Sequence, residues 1–466
     1  MRKTGKRSRR RQRARAKTVA QSMRNFLTPA VFRQVRKVAG RRKKPRWDIH
    51  PLVYVLLMMT WCCGDSAPEK FELARGFYVA CCPKRKRPGK SFQGFEKALA
   101  KLPMPVLRTL AGAIRGRIEV LFGERLLFGG FIPLGCDGTR LECPRSEELE
   151  RRLGTFRKKG TGEKGSGKKG TEEKSSAPMI WNTSIVHLTL GIPWCWRWGK
   201  GKKASERAHL LQMLPLLPRL ALLVTDAGYL GYEVIRRLLE AKVFFLMRMS
   251  SGATFYTESQ ESLESFVEGI AYYWPNDARD KGKPALRGRL ICVREKKRKV
   301  DVWLFTNVED PKRLSVELAS QLYRLRWENE GFFRTYKRTL KKVKLISRGI
   351  RMVHREAEGS MIATQLLLCQ GALAMPASTF KGELPVMCSP RKVLLEIRRE
   401  INGGIPKGKS FAERIAKAER ERRARQTPKE KRQWPRRKTH EPPKPPILLR
   451  MTSELKAEVE QDLQAA

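Results

Sequence analysis

Long apolar runs are missing from this chain. The longest, Pro51–Cys63 (PLVYVLLMMTWCC), is too short to span a bilayer and reads as a buried helix. No apolar segment follows the basic residues 1–19, so no secretory leader is expected. Acidic residues are scarce, 46 Asp and Glu against 98 Lys and Arg, for a formal charge of +52. Self-repulsion on that scale is tolerable only beside a polyanion, which makes nucleic acid the expected partner ahead of any membrane. The ten cysteines follow no regular framework and are read as reduced thiols of a cytoplasmic protein. Cys62-Cys63 and Cys81-Cys82 are adjacent pairs, whereas structural zinc sites space their ligands by two to four residues. The five histidines show neither metal-ligand spacing nor a Ser-His-Asp arrangement.

What is present is ample apolar material, 41% of 466 residues, enough for several domains with a real core. Residues 1–46 are dense in Arg and Lys and read as a disordered arm tracking phosphates. Residues 47–128 carry helical periodicity with capping signals at Ser66 and Ser91, a plausible helical DNA-binding domain. A short apolar strand, Phe131–Cys136, then ends at Asp137. Residues 157–177 are low-complexity Gly, Lys, Glu and Ser, read as a flexible insertion. Met179–Leu190 and Pro193–Gly199 suggest a hairpin whose alternating Trp194, Trp196 and Trp198 serve sheet packing. Ser205 is the expected cap of the next helix.

The segment LALLVTDAGYLGYEVIRRLLEAKVFFLMRMS gives a strand, Leu220–Thr225, then Asp226, a helix and a second strand, Val243–Met247. That is a βαβ pattern with a carboxylate at the strand's C-terminal end. Residues 250–310 shorten to strand periodicity in ATFYT, GIAYYW, RGRLICVRE and KVDVWLFTN, a β-rich insertion. Residues 311–375 return to helix, and 376–466 form a helical and basic C-terminal region. Gly403–Ser410 (GGIPKGKS) matches a phosphate loop formally, but a charged helical stretch precedes it where a buried strand is required.

Tyr323–Lys337 (YRLRWENEGFFRTYK) organises the rest. Read as one helix, it sets Tyr323, Arg326, Glu330 and Lys337 within an arc of about 60° at 100° per residue. A carboxylate flanked by phosphate-binding groups suits hydrolytic phosphoryl transfer, with the carboxylate on a divalent metal and Arg and Lys on the polyanion. Glu328 falls on the far side of that helix, and Glu206 and His209 are minor candidates near the site. The strand, hairpin, helix, strand, helix order is the one an RNase H-like α/β core requires, and it would bring Asp137, Asp226 and Glu330 together.

The spacing Tyr-x2-Arg-x3-Glu-x6-Lys, with CDGTR around Asp137, SERAHL at Ser205, VTDAGY around Asp226 and FTN at Phe305–Asn307, resembles the IS4-type DDE transposases of insertion sequences over about residues 47–375. The resemblance implies metal-dependent hydrolysis at transposon ends, then attack of the freed 3′-OH on target DNA. It also implies an element-end hairpin intermediate, a homodimer in the active complex and a bacterial, nucleoid-associated setting. Asp137, Asp226 and Glu330 are the expected ligands of Mg²⁺ or Mn²⁺, two ions with Asp137 bridging. Tyr323, Arg326 and Lys337 are the expected contacts to double-stranded DNA, both terminal inverted repeats and target. A base-stacking Trp in the insertion is implied too; Trp274 and Trp303 compete for it, and Trp303 alternates with core residues. The other readings are a structure-specific nuclease without strand transfer and a DNA-binding protein derived from a transposase.

Overall fold

The computed structural model describes residues 18–40, 47–83, 85, 87–155, 177–200, 204–258, 262–294, 301–376, 384–404, 408–420, 445–457 and 459. Residues 1–17 and 41–46 of the basic arm, 157–176 of the low-complexity insertion and the basic stretch 421–444 lie outside these.

Within the expected arm, residues 18–39 are folded. Helices α1 (Val19–Met23) and α2 (Pro29–Ala39), with the turn between them, bury Val19, Met23, Phe26, Phe32 and Val35. Lys and Arg dominate the composition there, but the few apolar residues recur at helical spacing and share one face. Thr28 caps α2, accepting from the Val31 amide, and the Val19 amide donates to Glu400 at 2.7 Å. Four helices follow: α3 (Ile49–Met59), α4 (Ala67–Cys81), α5 (Phe92–Ala100) and α6 (Met104–Phe122). Ser66 and Glu69 close a capping box on α4, and Ser91 caps α5 through the Gly94 amide.

The sheet begins with β1 (Ile132–Glu142), which is longer than its apolar half suggests. Asp137 therefore stands inside the strand, because pairing with β2 continues through polar residues as far as Glu142. Helix α7 (Glu147–Leu153) precedes the hairpin β2 (Met179–His187) and β3 (Ile192–Lys200), then α8 (Glu206–Met213), β4 (Ala221–Thr225), α9 (Tyr232–Glu240) and β5 (Phe244–Arg248). Strand β1 runs antiparallel to β2 and parallel to β4, and β4 runs parallel to β5.

All four strands expected in the insertion form. They are β6 (Thr254–Thr257), β7 (Glu268–Tyr273), β8 (Leu286–Val293) and β9 (Val302–Thr306), with a short α10 (Asn276–Arg279). They build no separate sheet: β9 pairs with β5, and the insertion extends the core into one ten-stranded sheet.

The organising helix is broken. It comprises α11 (Val316–Leu325), α12 (Glu328–Arg334) and a π-helical turn, Thr335–Thr339. Between the two helices the amides of Arg326, Trp327 and Asn329 bond back three residues rather than four, which tightens the chain and shifts the phase of the second half. The long α13 (Ile350–Ala374) is buried along most of its length and packs against α3, α6 and β3, tying the N-terminal helices to the sheet. Helices α14 (Pro390–Ile401) and α15 (Phe411–Ala416) follow. Gly403 leaves a helix and Ser410 caps the next, with no strand before the loop. The strand β10 (Ile447–Arg450), unexpected from its basic surroundings, adds to the free edge of β6. No described helix is long and apolar enough to cross a membrane.

Candidate active site at the end of strand β4

Register explains how Asp137 is opened to a ligand. The last β1–β4 pair is Gly135 with Val224, so β4 ends just before Asp137 while β2 continues along its other side. Asp226 follows the final residue of β4 and turns the chain, its Oδ1 accepting from the Gly228 amide at 2.9 Å. Asp137, inside β1, and Asp226 thus stand together at the C-terminal end of β4, where ligands of open α/β sheets bind.

A third carboxylate joins them from an unexpected element. Glu206 opens α8 behind its cap Ser205, and its Oε2 accepts from the Tyr229 hydroxyl at 3.0 Å. The carboxylate lies on the α-carbon of Gly138: a β-carbon there would stand 2.2 Å from Oε1. Arg207 donates to the Gly228 carbonyl at 3.0 Å, strapping the start of α8 to the loop after Asp226. Burial, then the charges of Glu206 and Asp226, push the Asp137 carboxyl up to about 6, against the Gly138 amide at 2.7 Å and the Arg326 charge. Burial and the Asp226 charge likewise raise Glu206.

Helix α12 crosses the other face of β1. Asn329 is fully buried against Gly135, two residues before Asp137 on the same side of the strand, and Glu330, beside it, is exposed. Tyr323 is 7% exposed and its hydroxyl has no partner; Arg326 stacks on Tyr323 and Trp327, its Nε unpartnered. Lys337 is half-buried. Burial lowers it, against the charge of Glu142, the last residue of β1. The structure therefore gathers Asp137, Asp226 and the Arg326 charge. It places Glu330 on the adjoining exposed surface, and Lys337 in the π-helical turn that follows α12, where Glu142 is the charge that favours its ammonium form. Among the described residues, no three His, Cys, Asp or Glu side chains are preassembled around one metal position. The donor set still fits a hard divalent cation, because it is all carboxylate oxygen, crowded, and short of compensating charge.

Several side chains sort away from the chemistry. Glu328 pairs with Arg420 at 2.7 Å, away from Asp137 as the helix phase required. His209 bonds Thr183 at 2.8 Å and packs on Gly199. Trp274 is 1% exposed and donates to the Lys283 carbonyl, while Trp303 stacks on Phe266, so both indoles of the insertion are spent in packing. Trp194 and Trp196 are buried in the sheet as expected. Sequence reasoning ranked Glu206 low and passed over Asn329 and Trp327; the only signal for the first was its place after the cap Ser205.

Residues 137–366 match the family model described as the transposase DDE domain. None of the curated proteins matches the chain. Among solved structures, the chain is similar to piggyBac transposase in a synaptic complex with hairpin DNA. The two share 10% identity over 84% of this chain and 81% of that one, with a TM-score of 0.40, a likeness too loose to carry an argument.

Proposed function

Residues 137–366 are a transposase DDE domain, and on that premise we propose that the protein cuts the ends of its own insertion sequence and joins the freed 3′-OH to target DNA. The observation that carries the reading is the placement of Asp137, inside β1, and Asp226 together at the C-terminal end of β4, with the Arg326 charge beside Asp137. The IS4-type assignment and the RNase H-like description of the core rest on the motif residues and the strand order.

Asp137, Asp226 and Glu330 would hold Mg²⁺ or Mn²⁺, two ions in our reading. Bound there, such ions would activate the water or 3′-OH and neutralise charge on the leaving oxygen. The chain does the rest. Arg326, its guanidinium over the rings of Tyr323 and Trp327, is assigned to a backbone phosphate, and the unpartnered Tyr323 hydroxyl is a second donor near it. Lys337, in the π-helical turn that follows α12, is assigned to the DNA backbone. In hydrolysis, water adds to phosphorus and the 3′-oxygen leaves with a proton; in joining, that 3′-OH loses its proton and attacks a target phosphorus, the target's own P–O3′ bond breaks, and the target 3′-oxygen leaves with a proton while the phosphate stays on the target's 5′-oxygen. The partners are double-stranded terminal repeats and target DNA, bound by a homodimer in the nucleoid.

The decisive assay is cleavage with Mg²⁺ of duplexes carrying the element's ends, comparing wild type with Asp137→Ala, Asp226→Ala and Glu330→Gln. Nicks or hairpins lost in all three variants, with DNA binding retained, support the reading. Cleavage without joining moves it to a nuclease, and tight, salt-sensitive binding without cleavage to a DNA-binding derivative.

A further inference from the structure

Strand β1 is paired on both sides for only part of its length. On the β2 side the ladder runs from Leu134 to Glu142. On the β4 side it ends at Gly135, and among the described residues nothing pairs there again until a single bridge joins Glu142 to Lys344. The gap spans residues 136–141, about 20 Å at 3.3 Å per residue. Burial falls away within it: Ile132 to Cys136 are buried, Asp137 to Thr139 half-buried and Arg140 exposed. Peptide direction alternates along a strand. The Ile132 amide donates toward β4, to the Leu220 carbonyl, and Glu142 donates to Val343 and accepts from Leu345 on that same side. Gly138 and Arg140, in phase with both, therefore turn their peptide groups into the gap. Asp137 leans the same way, its Oδ1 accepting from the Gly138 amide at 2.7 Å.

Cations border this gap beyond the aspartates. Arg140 lies directly across from Trp181 in the β1–β2 register, its guanidinium 4.5 Å from the centre of the indole ring. Such a stack holds a long exposed side chain in one place. The Arg140 charge also acts on Glu206. One carboxylate takes at most two of a guanidinium's five N–H donors, so a neighbouring acid and a bound anion are compatible. Lys344, exposed, closes the far end, and as bridge partner of Glu142 it projects to the same face as Arg140. Glu142 is answered there by the Lys337 charge. The gap thus leads from two aspartates at the end of β4 into positive charge, the pattern that suits a polyanion entering at a cation site.

We propose that the β1 edge between Gly138 and Arg140 seats the backbone of the cleaved DNA strand, and that Arg140, held over Trp181, binds a phosphate next to the scissile one. The inference rests on the reading of Asp137 and Asp226 as the site of phosphodiester cleavage. Arg140 shares the Gly138 face of β1, whereas α12 packs on the Gly135 face. The strand is then held by Arg140 on one face of the sheet and by Arg326 on the other, which fixes its depth at Asp137.

The test is binding of the full-length protein to a duplex carrying the element's end, followed by fluorescence anisotropy across a salt series. Single methylphosphonate substitutions in the duplex remove one phosphate charge at a time, and wild type is compared with Arg140→Gln and Arg326→Gln. Arg140→Gln is expected to lose about tenfold in affinity and about one unit of salt slope. One methylphosphonate on the cleaved strand should cost wild type about tenfold and cost Arg140→Gln nothing further, which identifies the phosphate. Wild-type affinity in Arg140→Gln while Arg326→Gln is weakened overturns the inference alone. Wild-type affinity in both overturns the placement of DNA at this end of the sheet, the reading beneath it. A loss in Arg140→Gln that adds in full to every methylphosphonate penalty shows that Arg140 acts through Glu206 or the fold, and also overturns the inference. If Arg140→Gln melts early because Glu206 loses its neighbouring charge, Arg140→Gln combined with Glu206→Gln is measured against Glu206→Gln alone. The same expected loss and the same overturning results then apply to that pair.

Discussion

Asn329 lies directly on Gly135: a β-carbon at that glycine would stand 2.5 Å from the Asn329 amide nitrogen and 2.5 Å from the Leu188 side chain. The contact sets the depth at which α12 rests on β1, and so the height of Glu330 above the sheet. Gly135→Ala must push two packed side chains apart, at about 1–3 kcal/mol for overpacking. The expected outcome is a lower melting temperature together with cleavage reduced more than the loss of folded protein accounts for. Cleavage falling only in step with folded fraction would detach this contact from the chemistry.

Asn329 is itself under strain of another kind, since neither polar atom of its buried amide has a partner. Such a group costs about 1–3 kcal/mol, a cost that an apolar side chain of the same shape avoids. Asn329→Leu is therefore expected to raise the melting temperature. A fall would mean that the amide has a partner in solution, such as a bound water.

The raised Asp137 carboxyl has a definite consequence for stability. Its folded value of about 6 lies above the usual aspartate value of 3.8, so the folded state binds the proton more tightly than the unfolded chain. The carboxylate then destabilises the fold fully above about pH 6, and the penalty disappears as pH falls below the unfolded value. Asp137→Asn should accordingly melt higher than wild type at pH 8, with the gain shrinking between pH 6 and pH 4. A gain independent of pH, in melts across that range, would rule out the charge as its source.

These residues also mark how far the sequence could be read. Strand β4 and Asp226 were legible because an unbroken apolar run ends on a carboxylate, and the four insertion strands because their periodicity is two. Asp137 was found, but its strand was cut short: β1 continues through Gly-Thr-Arg, and only pairing with β2 reveals that. The broken helix escaped because 326–329 contains neither Pro nor Gly, so the tightened turn comes from packing rather than from local preference. Glu206 ranks low in the sequence because it and His209 stand in no metal-ligand spacing and no Ser-His-Asp arrangement. Its approach to Asp137 is a tertiary fact, carried by Gly138 and Tyr229.

The insertion is anchored to α11 by one buried charge. Arg289 is 1% exposed; it pairs with Glu268 at 2.6 Å and donates to the Val308 and Leu314 carbonyls just before α11. Glu268→Ala leaves that guanidinium with carbonyl partners only, a loss of about 2 kcal/mol for a charged hydrogen bond. Arg289→Met removes the charge and fills the space, and is expected to be milder, as replacement of a buried pair by apolar groups often is. Chemical denaturation of the two variants checks the order; the reverse order would mean that the carbonyl contacts, not the ion pair, hold the insertion.

Trp327 is 56% exposed, in contrast to the buried indoles of the insertion, and it stands at the break between α11 and α12 with Arg326 4.8 Å above its ring. An exposed indole beside a guanidinium costs hydration and contributes little to the fold, so Trp327→Ala should change stability by less than about 0.5 kcal/mol. Base stacking on such a ring is worth about 1–3 kcal/mol, or roughly tenfold or more in affinity. The loss should appear with DNA carrying unpaired or hairpinned ends and be small with blunt duplex, because only an unstacked base can reach the ring. Equal loss on both substrates, measured by fluorescence anisotropy, would assign Trp327 to backbone contact through Arg326; no loss on either would leave it as a surface residue.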